Sequence, residues 1–467
     1  MNSKPTTSGN TVSAAQLLER FENCPAPVEE RIRLGIETNR KGTGRLRFLN
    51  AAGRSAPSVN YRLKLVRHHF LFGANAFILG GLPTPEKNEA FERAFAGLFN
   101  SAVVPFYWSG TEPEPGELRF GAESRPIYRR PPTDVVLDFC GRHNLVPKAH
   151  CLVWHQFLPK WLPQDPTKVM SLICKRMDEI AARYGHKISL WDVVNEPMEK
   201  FLFPDRHVLP KDYVFKSFEH ARKVFPESCR LILNEATTFS WREFHGETSG
   251  FDLLARNLLL RGARVDGLGL QYHYFFFGPD GMFAPNSFLT DVGALQAQGQ
   301  HLLDPEHLLD VLDGYGALGM PVQISEITVP CYSDIADGEQ LQARLAEHLY
   351  KIWFSHAAVD GIYWWNALDG TANGAESALK AGLLREDFTP KPAYTALQNL
   401  IRNEWTTALD GTADAVTLFR GFHGDYELEA EFRGVTSSHR FTLPPKGEEF
   451  VDIPIFVESP SGANTVT

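Results

Sequence analysis

The chain has 467 residues, of which 43% are hydrophobic and 22% charged, a balance that excludes a disordered or collagen-like protein. Fifty-six acidic against 47 basic side chains leave a formal net charge of −9, which argues against nucleic-acid or anionic-membrane partners, since both need a basic surface. No apolar run approaches the about 18 residues of a membrane-spanning helix.

Residues 1–30 open on a Ser/Thr/Gly/Asn-rich stretch and are expected to be flexible or helical. They lack the basic start and apolar core of a secretory signal, so a cytoplasmic location is expected, unless export follows another route. Within 31–69, "RLRFLN" and "YRLKLVR" alternate apolar and polar positions around a Gly/Pro/Ser turn, which predicts a hairpin of a small N-terminal β module. From 70 to 404 the rhythm changes to short apolar runs separated by stretches of helical periodicity. The predicted strands are 70–75, 102–108, 145–154, 188–195, 230–234, 265–273, 321–327 and 360–366. Strand-then-helix units in that number predict an α/β fold, a (β/α)8 TIM barrel. No glycine-rich phosphate loop accompanies them, which weakens nucleotide readings. Over 405–467 short strands return between Gly, Pro, Asp and Ser, predicting a C-terminal β module that packs with the N-terminal hairpin. The cysteines at 24, 140, 151, 174, 229 and 331 have no zinc-site spacing and read as mostly buried thiols.

In such a barrel, chemistry sits where strands end. The third strand delivers His150, Trp154 and His155, and the fourth Asn195, Glu196 and Pro197. The fifth delivers Asn234 and Glu235, the sixth Gln271 and His273, the seventh Glu326, and the eighth Trp364, Trp365, Asn366 and Asp369. Glu196 and Glu326, from opposite sides of the mouth, can flank one glycosidic bond, whose hydrolysis needs a proton donor and an opposing anion. His273 shares a strand face with Gln271 and is positioned to hydrogen-bond the nucleophile. For any single Glu, an ion pair at the barrel rim is the competing reading. Glu235 is either a third carboxylate of the site or a structural one. His143, His150 and His155 lack metal-ligand spacing.

With these residues in place, the sequence resembles glycoside hydrolase family 10, the retaining xylanase-like barrels, over about 70–403. "HCLVWHQFLPKWL" is similar to the family's third-strand motif, "WDVVNEP" to its acid/base motif, "GLGLQYH" to its sixth-strand motif, "QISEITV" to its nucleophile motif and "YWWNALDG" to its eighth-strand Trp segment. The resemblance implies Glu196 as general acid/base and Glu326 as nucleophile. It implies His150, Trp154, Asn195, Gln271, His273 and Trp365 as substrate-binding residues. One departure stands out: where the family carries a Glu-Asn pair and a Lys that grip the −2 sugar, this chain has Pro105, Phe106, Tyr107 and Trp108. Trp108 is therefore expected to stack on a different sugar or an apolar aglycone.

The expected protein is a retaining β-glycosidase with an altered glycone site. Its partner is an oligosaccharide or polysaccharide, with no nucleic acid and no membrane, and its mechanism needs no metal or organic cofactor. An ordinary endo-1,4-β-xylanase with −2 contacts from other loops, and a non-catalytic carbohydrate-binding relic, are the alternatives. The exact glycone, endo against exo action and oligomeric state stay open.

Overall fold

The structure, a computed structural model, describes residues 14–198, 208–274, 301–331, 337–445 and 451–458. The chain divides into a barrel unit (Met1–Val28, Phe72–Trp353, Ala358–Leu397) and a β unit (Glu29–Leu71, Phe354–Ala357, Gln398–Thr467). The first strands, β1 (Lys41–Leu49) and β2 (Val59–His68), belong to the β unit.

The barrel follows in chain order: β3 (Leu71–Asn75), β4 (Ser101–Pro105), β5 (Val146–Val153), β6 (Leu190–Asn195), β7 (Arg230–Glu235), β8 (Gly267–His273), β9 (Val322–Thr328) and β10 (Val359–Trp364). They close in the order β10-β3-β4-β5-β6-β7-β8-β9. Every position of β4, β6, β8 and β9 is buried, because a parallel sheet wrapped by helices has no wet face. The connecting helices begin on side chains chosen for the job. Thr84, Asp165, Ser249 and Asp304 each accept a backbone N–H of the following first turn, and three of these helices start on Pro85, Pro166 and Pro305. Each such cap contributes about 1 kcal/mol. The helix Pro166–Tyr184 buries Val169, Ile173, Met177, Ile180 and Tyr184, a stripe at three- to four-residue spacing that faces the sheet.

One predicted strand is too long. The 102–108 segment stops at Pro105, and Trp108–Thr111 forms a helical turn. The Phe106 N–H donates to the His150 carbonyl, and the hydroxyl of Thr111 donates to the Tyr107 carbonyl at 3.2 Å. The chain therefore turns at Tyr107, and the strand alternation that would relate Phe106, Tyr107 and Trp108 is lost.

In the β unit, β11 (Ala408–Ala413), β12 (Val416–Phe422), β13 (Gly424–Phe432), β14 (Val435–Leu443) and β15 (Val451–Phe456) join β1 and β2. The sheets are β12-β1-β15 and β11-β2-β13-β14. The expected β1–β2 hairpin does not form, because the two strands lie in different sheets. The 50–58 connection turns back on β1 through a single Leu49–Ser55 bridge, then leaves. A tight hairpin needs a loop of about two to five residues. Alternate residues Leu63 and Leu65 of β2 bury one face of their sheet with Tyr426, Leu428 and Ala430 of β13.

Candidate active site

The carboxyl ends of β5 to β9 bring seven of the predicted residues together: His150, Trp154, Asn195, Glu196, Gln271, His273 and Glu326. Glu196 follows β6 with φ +50°, a left-handed backbone that costs a non-glycine residue about 1–2 kcal/mol. Its N–H donates to the Asn234 carbonyl at 2.9 Å. Pro197 follows, and Glu235 secures the turn: its two oxygens accept the N–H groups of Met198 (2.9 Å) and Ala236 (2.7 Å). Glu235 has no exposed surface, and these bonds tie it to the backbone at Met198, just past Glu196, and at Ala236.

Gln271 links the two central carboxylates. Its Nε2 donates to Glu196 Oε1 at 2.9 Å and to Glu326 Oε1 at 3.1 Å. Glu196 Oε2 also accepts from Trp154 Nε1 at 3.0 Å. Glu326 accepts from Asn234 Nδ2 at 2.9 Å, and His273 Nε2 lies 3.3 Å from its other oxygen. The same Asn234 amide donates to Asn195 Oδ1 at 2.7 Å, orienting that side chain. His273 Nδ1 meets the Thr328 hydroxyl at 2.8 Å, an arrangement suited to an imidazole that accepts from Thr328 and donates to Glu326.

A buried charged row supports His150. Lys148 Nζ lies 3.2 Å from Asp192 Oδ1, Asp192 Oδ2 lies 2.8 Å from His150 Nδ1, and His150 Nε2 lies 3.6 Å from Glu326 Oε1. Asp192 and His150 are each 1% exposed. This row fixes the imidazole ring with its Nε2 turned to the carboxylates. Lys148, Asp192 and Asn234 are the residues that strand-end reasoning left without a role. A lysine and an aspartate inside otherwise apolar strands were the available signal, since buried charges are paired.

Trp365 is 7% exposed, and its ring stands edge-on to His150 at 5.7 Å and to His273 at 6.2 Å. Trp108 does not join this group. Its Nε1 donates to Glu112 at 2.8 Å, its ring packs against Trp161 at 5.8 Å, and it is 3% exposed. Tyr107 is the member of that segment that reaches the centre, 5.4 Å from His150, 5.2 Å from Trp154 and stacked on Phe157 at 4.4 Å. Burial pushes its hydroxyl well above the usual phenol range. Phe106 points away, onto Tyr184 and Trp191. Chemically, the mouth offers two carboxylates on one bridging amide, each supplied with N–H donors, ringed by Tyr107, Trp154 and Trp365.

Residues 123–400 match the model of Glycosyl hydrolase family 10. Among curated relatives, endo-1,4-beta-xylanase 2 of Arabidopsis thaliana is 25% identical over 391 residues, covering 81% of this chain and 32% of the relative. The anti-sigma-I factor RsgI6 of Acetivibrio thermocellus is 25% identical over 315 residues, covering 66% of this chain and 36% of the relative. The chain thus spans about a third of the length of these two relatives. Endo-1,4-beta-xylanase 2 of Aureobasidium pullulans is 25% identical, with 63% of this chain and 77% of the relative covered. Among solved structures, native xylanase 10B from Thermotoga maritima superposes with a TM-score of 0.55 at 20% identity, covering 72% of this chain and 96% of that one.

Proposed function

The chain belongs to glycosyl hydrolase family 10, and from that premise we propose that it hydrolyses β-linked glycosides of xylan-type or related plant oligosaccharides by retaining double displacement. The observation that carries the reading is the Gln271 amide bonded to both Glu196 and Glu326. One nitrogen shared by two carboxylates belongs with the short carboxyl gap of about 5–5.5 Å that accompanies a covalent intermediate, not with the about 6.5–9.5 Å that leaves room for water.

Glu326 is the nucleophile. Donors from Asn234, Gln271 and His273 converge on it, which suits an anion that attacks the anomeric carbon. Glu196 is the general acid, giving its proton to the leaving oxygen. It then takes a proton from the water that opens the glycosyl-enzyme. Asn195 and His150 hold hydroxyls of the reacting sugar, with Trp365 and Trp154 as its walls. Proton NMR of the first-formed product tests the reading: net retention of anomeric configuration is expected, and inversion would remove the double displacement.

The glycone side of this site departs from a plain xylanase. Tyr107 stands against His150 and Trp154, where an apolar, aromatic face replaces charged and amide groups. Linear unsubstituted xylan is therefore a poor substrate. Each charge-assisted hydrogen bond missing from that subsite costs about 1.5–3 kcal/mol, and binding energy lost at a remote sugar is lost from the barrier as well.

A further inference from the structure

Four buried arginines surround the loop that follows β4, and none is paired with a carboxylate among the described residues. Arg119 donates to the carbonyls of Gly110, Arg125 and Arg130, and Arg176 to that of Phe106. Arg129 donates to the Thr371 carbonyl and to Asn366 Oδ1, both at 2.6 Å. Its Nε–H is buried with no acceptor among the described residues. Arg130 donates to the carbonyl of Arg129 at 2.7 Å, and its guanidinium lies over the rings of Tyr107 (4.2 Å) and Phe157 (5.0 Å). Arg129 and Arg130 are 5% and 8% exposed. Glu376 stands on the far side of Asn366, whose Nδ2 donates to it at 3.2 Å.

The two neighbouring guanidinium groups sit one ring beyond the carboxylate pair. Both lie 5.6 Å from the Phe77 ring, which packs on Trp365 at 5.1 Å, and Arg130 covers the Tyr107 ring that abuts His150. A buried cation whose partners are neutral loses hydration without gaining a counter-charge. Burial, with Arg129 alongside, brings the Arg130 guanidinium down to about 10, so it is still charged at neutral pH. The geometry of a guanidinium fork fits a planar carboxylate with two parallel N–H bonds. The chain as a whole carries −9, so its net charge does not draw in an acidic glycan, and recognition of one needs a local positive site.

We propose that Arg130, backed by Arg129, recognises the carboxylate of a uronic acid, so that the preferred substrates are acidic oligosaccharides. This rests on the glycosidase reading of the site and adds a substrate class to it. The carboxylate comes either from a uronic acid in the main chain or from a uronic acid branch. The chemistry at Arg130 is shared, and the test has an arm for each.

The test uses three probes: a linear xylooligosaccharide, the same oligomer with one glucuronic acid branch, and one ending in glucuronic acid. The two acidic probes are also prepared as neutral methyl esters. Binding is measured by calorimetry on the full chain carrying Glu326→Gln, and kcat/KM on the wild type. An acidic probe is expected to bind about tenfold or more tightly than its ester, a factor that corresponds to about 1.4 kcal/mol. Arg130→Gln should bring that ratio close to one, and Arg130→Lys should keep part of it. The ratio is taken within one protein, so loss of folded material scales both arms together. Equal binding of acid and ester, or a ratio untouched by both Arg130→Gln and Arg129→Gln, overturns the proposal. Cleavage of neutral and acidic probes at the same kcat/KM, with no binding preference, overturns the proposal and leaves the glycosidase reading standing. Preferential binding of an acid with no cleavage of any probe does the reverse.

Discussion

The carboxylate cluster and the arginine cluster, neighbours at one barrel mouth, handle buried charge in opposite ways. Around Glu196, Glu326 and Asp192 each carboxylate meets a matched donor or cation: Trp154 and Gln271 for the first, Asn234 and Gln271 for the second, Lys148 and His150 for the third. Around Tyr107 the cations Arg119, Arg129, Arg130 and Arg176 meet carbonyls, an amide oxygen and aromatic rings. A region whose charges are satisfied internally is ready for a neutral sugar ring and a reaction. A region whose charge is left over is ready for a ligand that brings the opposite sign.

The two clusters should therefore respond differently to mutation, and the largest expected effect lies in the first. Glu196→Ala should lower turnover of a poorly activated glycoside by about 10²–10⁴-fold, and Glu326→Ala by more. Azide with an activated aryl glycoside should give the retained anomer from Glu196→Ala and the inverted anomer from Glu326→Ala; the same anomer from both would remove these roles, and exchanged anomers would reverse them. Next in size is Asp192→Asn. It strands Lys148 in a site 1% exposed, and breaking such a buried pair costs about 3–5 kcal/mol. Chemical denaturation should show that loss, and adding Lys148→Met should recover much of it.

Arg130→Met should move stability the other way. Removing a buried cation that lacks a counter-charge should raise the melting temperature, equivalent to about 1 kcal/mol, while acidic-substrate preference falls. A melting temperature lowered as much as in Asp192→Asn would erase the contrast between the clusters. The smallest effect is expected at Thr328→Val, which deletes the hydroxyl facing His273 Nδ1 and keeps the shape. One hydrogen bond of about 0.5–1.5 kcal/mol sets its scale, read as a loss of kcat/KM of up to about tenfold with an altered pH profile.

Much of this was legible along the chain. Eight apolar runs separated by stretches of helical periodicity specify a wound barrel, because strand and helix periods are local properties. Such a barrel puts Glu196, Gln271, His273 and Glu326 at one rim, since strand ends in this fold share a face. Tertiary structure decided the rest. Past Pro105 no period relates one residue to the next, so which of Phe106, Tyr107 and Trp108 turns inward depended on the 107–111 turn and on the rings of Phe157 and Trp161. β1 and β2 each carry a strand pattern, but a pattern names a buried face and not a neighbour, so their separation into two sheets could not be read from it. The charges of Lys148, Asp192, Arg129 and Arg130 are written in the sequence. Whether a charge has a partner is a question of distance between elements far apart in the chain, and only the closed barrel supplies those distances.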